Sequence, residues 1–464
     1  MSYSTLFQRA LVLIITVSTT LLSCQDKTTT TPDSGQLIEN VHIVDVREGT
    51  VSDLQHIVID SGRITAILPQ EVETKTFVNR IDGEGAYVVP GLTEMHAHIP
   101  SPPTSEERIE ATLFLYLAGG VTTIRGMLGH PRHLSLRQEA LDGAVLSPRI
   151  YTSSPSLNGN SIPDAETAIA RVRQYAEEGY DFLKIHPGIK RPVFDSLVRT
   201  AKEAGIPFAG HVPVDVGIRH ALESGYATID HVDGYLEGLV PESAGVSPDA
   251  NGFFGFNFTD LADTAKIAEL VALSKERNVR IVPTQSLFER WFAPTTADSL
   301  LAQEEMKYMP AATLENWRTV KNQYMEDPAW DPEKWKRFDA IRLHLIAALS
   351  AEGPGLLLGS DAPQLFNVPG FSIHHEIDGM QRAGISNAEI LRTATLYPAQ
   401  FFEMESEFGS IAVGKSAEFI LVKGNPLEDL DALQELQGVM LRGNWISHDV
   451  IQSELARIAK LDKE

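Results

Sequence analysis

Between Val88 and about Phe402 short apolar runs alternate with amphipathic segments of helical period, one pair about every thirty residues. The apolar runs VVPGLTEMH, GVTTIRG, RIYTSS, YDFLKIH, IPFAGHV, YATIDHV, VRIVPT and GLLLGSD predict eight strands. Between them ERIEATLFLYLAG, AETAIARVRQYAEEG, PVFDSLVRTAKEAG and DLADTAKIAELVALSKERN carry apolar residues on one helical face, several closing on Gly or Asn as a C-terminal stop. Strand and helix in strict alternation is the pattern of an α/β protein with a parallel sheet. Eight such units predict a TIM-like (β/α)8 barrel over residues 90–403, whose chemistry would sit at the C-terminal strand ends. The stretches 233–260 and 285–335 are longer than a barrel needs and are expected to build pocket wall or lid.

Outside this region the rhythm shortens to β-branched runs. LIENVHIVDV and QHIVIDSGRITAIL near the start, and GSIAVGKSAEFILVKG and VMLRGNW near the end, predict a small β-sandwich domain composed of residues 36–89 and 404–464. Gly409 to Ser416 satisfies the phosphate-loop pattern GxxxxGK[ST], but AEFILVKG follows it, a strand where phosphate binding needs a helix N-terminus. A hairpin of the β domain is expected instead.

Residues 1–23 hold one basic residue, Arg9, and an apolar run from Ala10 to Leu22, the composition of an export signal. Cys24, the single cysteine, stands where that run meets a polar, Thr-rich stretch. The junction resembles a bacterial lipoprotein signal, which implies a lipidated Cys24, a tether over 24–35, and a protein exported and lipid-anchored to an envelope membrane, periplasmic or surface. One cysteine excludes an intrachain disulfide and a thiolate metal site, so any metal must be held by His, Asp, Glu or a modified side chain. The formal charge of -23 argues against a nucleic-acid partner. Contact with a membrane is expected through the lipid anchor only, and a homo-oligomer is compatible with the composition.

The strand ends carry the candidate chemistry. His96 and His98, two apart at the end of the first strand, project the same way. Lys184 ends the fourth, His211 closes the fifth, His231 the sixth, and Asp361 follows GLLLGS at the eighth. Six polar groups from five strands would then meet at one rim, the face where a barrel keeps its active site. Arg125 at the end of the second strand is expected to pair with a substrate carboxylate or with a neighbouring acid. Tyr235, Gln285 and Trp291 lie just beyond strand ends, where they would touch substrate. His130, His133, His186 and His374 are further histidines near the same rim.

PGLTEMHAH, FLKIH, GHV, IDHV and GSDAP resemble the metal-ligand motifs of the amidohydrolase superfamily, in that superfamily's order, and IVIDSGRITAI, ATLYPAQFF and GSIAVGKSAEFILVKGNPL resemble its split small domain. The lysine on the fourth strand is most similar to the branch containing imidazolonepropionase and the prolidase-like Xaa-Pro dipeptidases. Two departures stand out: Gly126 replaces a residue that is often acidic, and GHV replaces the more usual HA. The resemblance implies His96, His98 and Asp361 on a first metal and His211 and His231 on a second. It also implies that carbon dioxide converts Lys184 into a carbamate spanning both. The metal would be Zn2+, one or two per chain, with Mn2+ or Fe2+ as alternatives. Water activated by the metals would attack an amide of a small peptide-like or cyclic substrate, Asp361 passing its proton to the leaving amine. A mononuclear cyclic-amide hydrolase with Lys184 unmodified, and a surface lipoprotein that binds without catalysis, are the other readings.

Overall fold

In the computed structural model, residues 35–72, 74 and 77–461 are described. The export signal, Cys24 and nearly all of the tether lie outside them.

The alternating region forms two parallel sheets. Leu92–Ala97, Val121–Gly126 and Arg149–Thr152 pair in that order, and Leu183–Ile185, Phe208–Gly210, Thr228–Asp230 and Arg280–Val282 make a second set of four. Bridges Ser153–Phe182 and Leu157–Ile185 connect the two sets. Ile281–Leu356 and Ala97–Ala362 bring the segment of the expected eighth strand between their outer edges. That segment does not form a regular strand. The Glu94 carboxylate supplies the reason: its Oε1 accepts from the backbone N–H groups of His96 at 3.0 Å and Ser360 at 2.8 Å, taking two donors that a ladder would use.

Helices close the connections in the way their ends predict. Ser105 accepts from the N–H of Arg108 at the start of Glu106–Ala118, and Asp164 from Thr167 at the start of Ala165–Glu178. Gly179 and Gly205 end their helices at φ 83° and 68°, a conformation that a Cβ disfavours. The long insertions fold into the short helix Tyr235–Leu239, 3-10 turns over Glu242–Ala244, Pro248–Ala250 and Phe253–Leu261, and helices from Gln285–Phe292 to Ala311–Met325.

The β domain departs from the expected sandwich. Its strands form one continuous nine-stranded sheet in which Glu418–Val422 pairs with Tyr87–Pro90, joining both ends of the chain. The sheet curls because Gln36–Asp45 changes partner along its length: Gln36 to Val41 face Gln55–Asp60, whereas His42 and Ile43 face Tyr87 and Val88. One apolar core, including Ile38, Ile57, Val88, Phe419 and Met440, fills the curl. The phosphate-loop lookalike edges this domain: Gly414 N–H donates to Ile64 O at 2.7 Å and Ala417 N–H to Gly62 O at 2.8 Å. A strand follows it, as its sequence predicts. Among the described residues no helix is long and apolar enough to cross a membrane.

Candidate metal centre and pocket

Leu92–Ala97 ends so that His96 and His98 face each other, with ring centroids 5.4 Å apart. Asp361 meets both: its Oδ1 lies 2.6 Å from His98 Nε2 and 3.4 Å from His96 Nε2. These three residues offer ligand atoms within 4.8 Å of one another. His231 follows Thr228–Asp230 with its ring 4.5 Å from His96 and 4.6 Å from His211, which itself follows Phe208–Gly210. Lys184, central in Leu183–Ile185, is fully buried among them. The six strand-end groups singled out in the sequence therefore gather in one place.

Holding them there requires unusual backbone. His231 and Asp361 both sit at φ 66° and Thr284 at φ 48°, each a conformation costing about 1 to 3 kcal/mol for a residue other than glycine. Neighbouring bonds fix them. His231 N–H donates to Val282 O at 2.7 Å and Asp361 N–H to His96 O at 2.9 Å. Arg342, buried against the Phe288 ring, donates to His231 O at 2.7 Å and Pro283 O at 3.0 Å.

A supporting layer orients the rings, and the sequence reading missed it. His211 Nδ1 lies 3.1 Å from Asp233 Oδ2, and His231 Nδ1 2.8 Å from Thr284 Oγ1, which leaves each Nε2 for another partner. Asp230 is the largest omission. Its Oδ1 accepts from Arg125 at 3.0 Å, and its Oδ2 lies 3.2 Å from His96 Nδ1 and 3.8 Å from Lys184 Nζ. The signal was present in the motif IDHV: an acid inside an apolar strand calls for a buried cation.

Burial pushes His96 and His231 well below the usual imidazole range, with neighbouring cationic groups adding to the effect, and takes His186 down to about 2. They are therefore neutral lone-pair donors at neutral pH. Burial likewise lowers Lys184, against the opposing pull of Asp230 and Asp361. Lys184 Nζ, His96 Nδ1 and Asp230 Oδ2 are buried with no hydrogen-bond partner among the described residues. Neutral imidazoles beside a carboxylate, with an amine left unpartnered, fit a divalent cation better than a self-sufficient polar network.

The cluster forms the floor of a cavity of about 840 Å³. Leu128, His186, Val212 and Val214 line one side, and Val240, Val246, Phe253, Phe254 and Trp291 another. Trp291 thus stands where the sequence reading put it. Three other expected substrate contacts do not. Tyr235 is buried with its hydroxyl 2.6 Å from Ser274 Oγ, because the short helix it begins turns it away from the cavity. Gln285 is buried between Asp339, to which its amide donates at 2.7 Å, and Arg342, from which it accepts at 3.1 Å. Arg125 is fully buried and spends its donors on Asp230, on Thr228 Oγ1 at 3.0 Å and on Met95 O at 2.7 Å; of its two expected partners, the neighbouring acid is the one present. Of the further histidines only His186 lines the cavity: His130 caps Pro131–Leu141, His133 lies 3.3 Å from Pro100 O, and His374 is buried in Ser372–Arg382.

Comparison with known proteins agrees with this architecture. A dihydroorotase of Carboxydothermus hydrogenoformans is 36% identical over 91 residues, 19% of this chain and 20% of that protein, so the chain spans about a fifth of this curated relative. Among solved structures, a bottromycin amidohydrolase superposes with a TM-score of 0.69 at 21% identity, covering 92% of this chain and 91% of the other. A Xaa-Pro dipeptidase with methionine in its active site gives 0.62 at 21% identity, covering 89% and 100%. At such identity these likenesses speak for the fold. The profile of the Amidohydrolase family matches residues 87–446, both sheets and every strand-end residue included, and the chain belongs to that family.

Proposed function

We propose that the protein is a metal-dependent hydrolase of carbon–nitrogen bonds that cleaves an amide in a small peptide-like or cyclic substrate. The observation that carries this is the meeting of His96, His98 and Asp361 within 4.8 Å on the floor of an apolar cavity, with His211, His231 and the unpartnered Lys184 beside them. His96, His98 and Asp361 would hold one zinc ion, His211 and His231 a second, and Lys184 as a carbamate would span them. Bound there, the metals would supply Lewis acidity, lowering the pKa of water and polarising the amide carbonyl. The protein's own part follows from its side chains. Asp361, the carboxylate that meets both His96 and His98, would carry a proton from the attacking water to the leaving amine. Asp233 and Thr284 hold the His211 and His231 rings in orientation. Phe253, Phe254 and Trp291 exclude bulk water from the cavity and seat the substrate.

The same reading takes the parallel strands as a closed eight-membered barrel, supported by the bridges from Ile281 to Leu356 and from Ala97 to Ala362. Export and lipid anchoring at Cys24 belong to it too, supported by the LLSC junction. Mass spectrometry of the N-terminal peptide of envelope-derived protein tests that part: an unmodified Cys24 or a retained leader would refute it.

A mononuclear site has one observation in its favour, since among the described residues His96, His98 and Asp361 alone satisfy the spacing of a three-residue ligand set. Metal analysis of protein reconstituted with zinc, manganese or iron, with and without carbon dioxide, separates the two. Two metals per chain and activity on an amide library that depends on carbon dioxide are expected; one metal and no such dependence would favour the mononuclear form. A fully loaded protein inert toward dipeptides, acyl amino acids and cyclic amides would sink the hydrolase reading.

A further inference from the structure

The chemistry of the cavity wall narrows the substrate. Its volume, about 840 Å³, is that of a drug-sized ligand pocket. A dipeptide ends in a free carboxylate, and a pocket that recognised one would offer a cation, usually an arginine, to pair with it. Among the described residues lining this cavity Lys184 is the one lysine or arginine, and it lies buried in the floor. The nearby cations are committed elsewhere. Arg125 is paired with Asp230, Arg342 donates to His231 O, Pro283 O and Gln285, and Lys321 donates to Trp291 O and Ala293 O.

What the wall does offer is acid and aromatic surface. Asp361 and Asp233 are occupied with the histidines. Glu237 and Glu242 remain. Glu237 Oε1 accepts from Asn251 at 2.7 Å, but Oε2 is out of solvent with no hydrogen-bond partner among the described residues. Gly255 backs that oxygen so closely that a Cβ there would lie 2.9 Å from it. Burial, and then the charge of Asp233, hold this carboxyl above the usual range, and a cation seated beside it would favour the ionised form. Phe253 and Trp291, with ring centroids 5.2 Å apart, add π faces that attract cations, and Phe254 extends the same wall over His231.

Resting on the reading of this site as an amide-hydrolysing centre, we propose that it selects apolar amides carrying a cationic group away from the scissile bond, and no free carboxylate. Glu237 and Glu242 are the acidic contacts, and Phe253, Phe254 and Trp291 the aromatic ones.

Two measurements on metal-loaded full-length protein test this. In the first, calorimetry compares trimethyl(2-phenylethyl)ammonium with its uncharged isostere, in which carbon replaces the nitrogen; neither can ligate a metal. The charged probe should bind at least about tenfold more tightly, and the Glu237→Gln/Glu242→Gln double variant should lose most of the difference. Equal binding, or a preference undiminished in the double variant, overturns the proposal. In the second, matched amides differ only in a remote ammonium, hydrogen or carboxylate. The ammonium form should have the highest kcat/KM, and a preference for the carboxylate overturns the proposal even though hydrolysis stands. Charge-selective binding with no turnover of any of the three would refute the hydrolase reading while upholding the cation-selective pocket.

Discussion

Replacing Arg125 by Met separates a structural cation from a substrate clamp. The guanidinium is fully buried and makes three bonds, to Asp230 Oδ1, Thr228 Oγ1 and Met95 O, all between 2.7 and 3.0 Å. Met fills much of the aliphatic volume but leaves the Asp230 carboxylate buried with its hydrogen-bonded counter-ion gone and only Lys184, at 3.8 Å, beside it. Breaking a buried pair from one side costs about 3 to 5 kcal/mol, because the abandoned charge keeps its desolvation penalty. For 464 residues an unfolding entropy of about 2.1 cal/mol/K per residue gives about 1 kcal/mol per degree, so the melting temperature should fall by about 3 to 5 °C. Adding Asp230→Asn should recover part of the loss, since the amide carries no orphaned charge, and the double-mutant cycle should show coupling above about 1 kcal/mol. Scanning calorimetry measures stability, and steady-state kinetics on any amide that is turned over measures KM. A substrate clamp predicts the opposite pair of results, unchanged melting and a KM raised tenfold or more. Unchanged melting would refute the structural role and leave Arg125 free to serve the cavity.

Tyr235→Phe should cost about 1 kcal/mol, the worth of one buried hydrogen bond, and leave KM unchanged, because the hydroxyl it removes faces Ser274. A raised KM without destabilisation would show that this side chain reaches the substrate. Chelation should lower the melting temperature of protein loaded at a hundred times its dissociation constant by about 3 °C, from about 2.7 kcal/mol of linkage. The His98→Ala/Asp361→Asn variant should lose most of that shift, and a full shift in the variant would place the metal elsewhere. Burial pushes Glu376 from 4.5 up to about 7, so folding takes up a proton between those values and native stability falls as pH rises through that window. The loss amounts to about 3 kcal/mol by pH 7. Glu376→Gln keeps an acceptor for Ser286 N–H without the titration, and its stability relative to the parent should rise by that amount between pH 4.5 and 7 in urea melts. A difference independent of pH would show that Glu376 is ionised throughout.

What the sequence made legible was position along strands, and what it hid was the direction of side chains beyond them. His96, His98, Lys184, His211, His231 and Asp361 could be picked out because the helix-and-return rhythm fixes which end of each strand they occupy. Tyr235 and Gln285 follow strand ends as closely, but each enters a helix whose first turn rotates it into packing. No periodicity in the chain encodes that rotation. Phe253 and Phe254 reach the cavity from 3-10 turns with φ of 51° and 78° at Phe254 and Gly255, an irregular path that hydrophobic pattern does not predict. The eighth strand was misjudged for another reason: a side chain, Glu94, competes for the backbone donors.

Lys184 lies inside an apolar strand, and the state of its amine depends on its charged neighbours. Arg125, Asp230 and Lys184 are three buried charges in a row, and the single acid is not shared evenly: Oδ1 binds Arg125 at 3.0 Å, while Oδ2 stands 3.8 Å from Lys184 Nζ, beyond hydrogen-bond reach. An ammonium left there would be a surplus cation in a desolvated floor that already borders three neutral imidazoles. Loss of its proton relieves the surplus, and conversion to an anion does so while supplying the negative charge that a pair of divalent cations would need. The arginine that looked like a substrate ligand in the sequence therefore has a different part: by binding Asp230 Oδ1 it shares the one acid that pairs with Lys184, which is held only at 3.8 Å by the other oxygen.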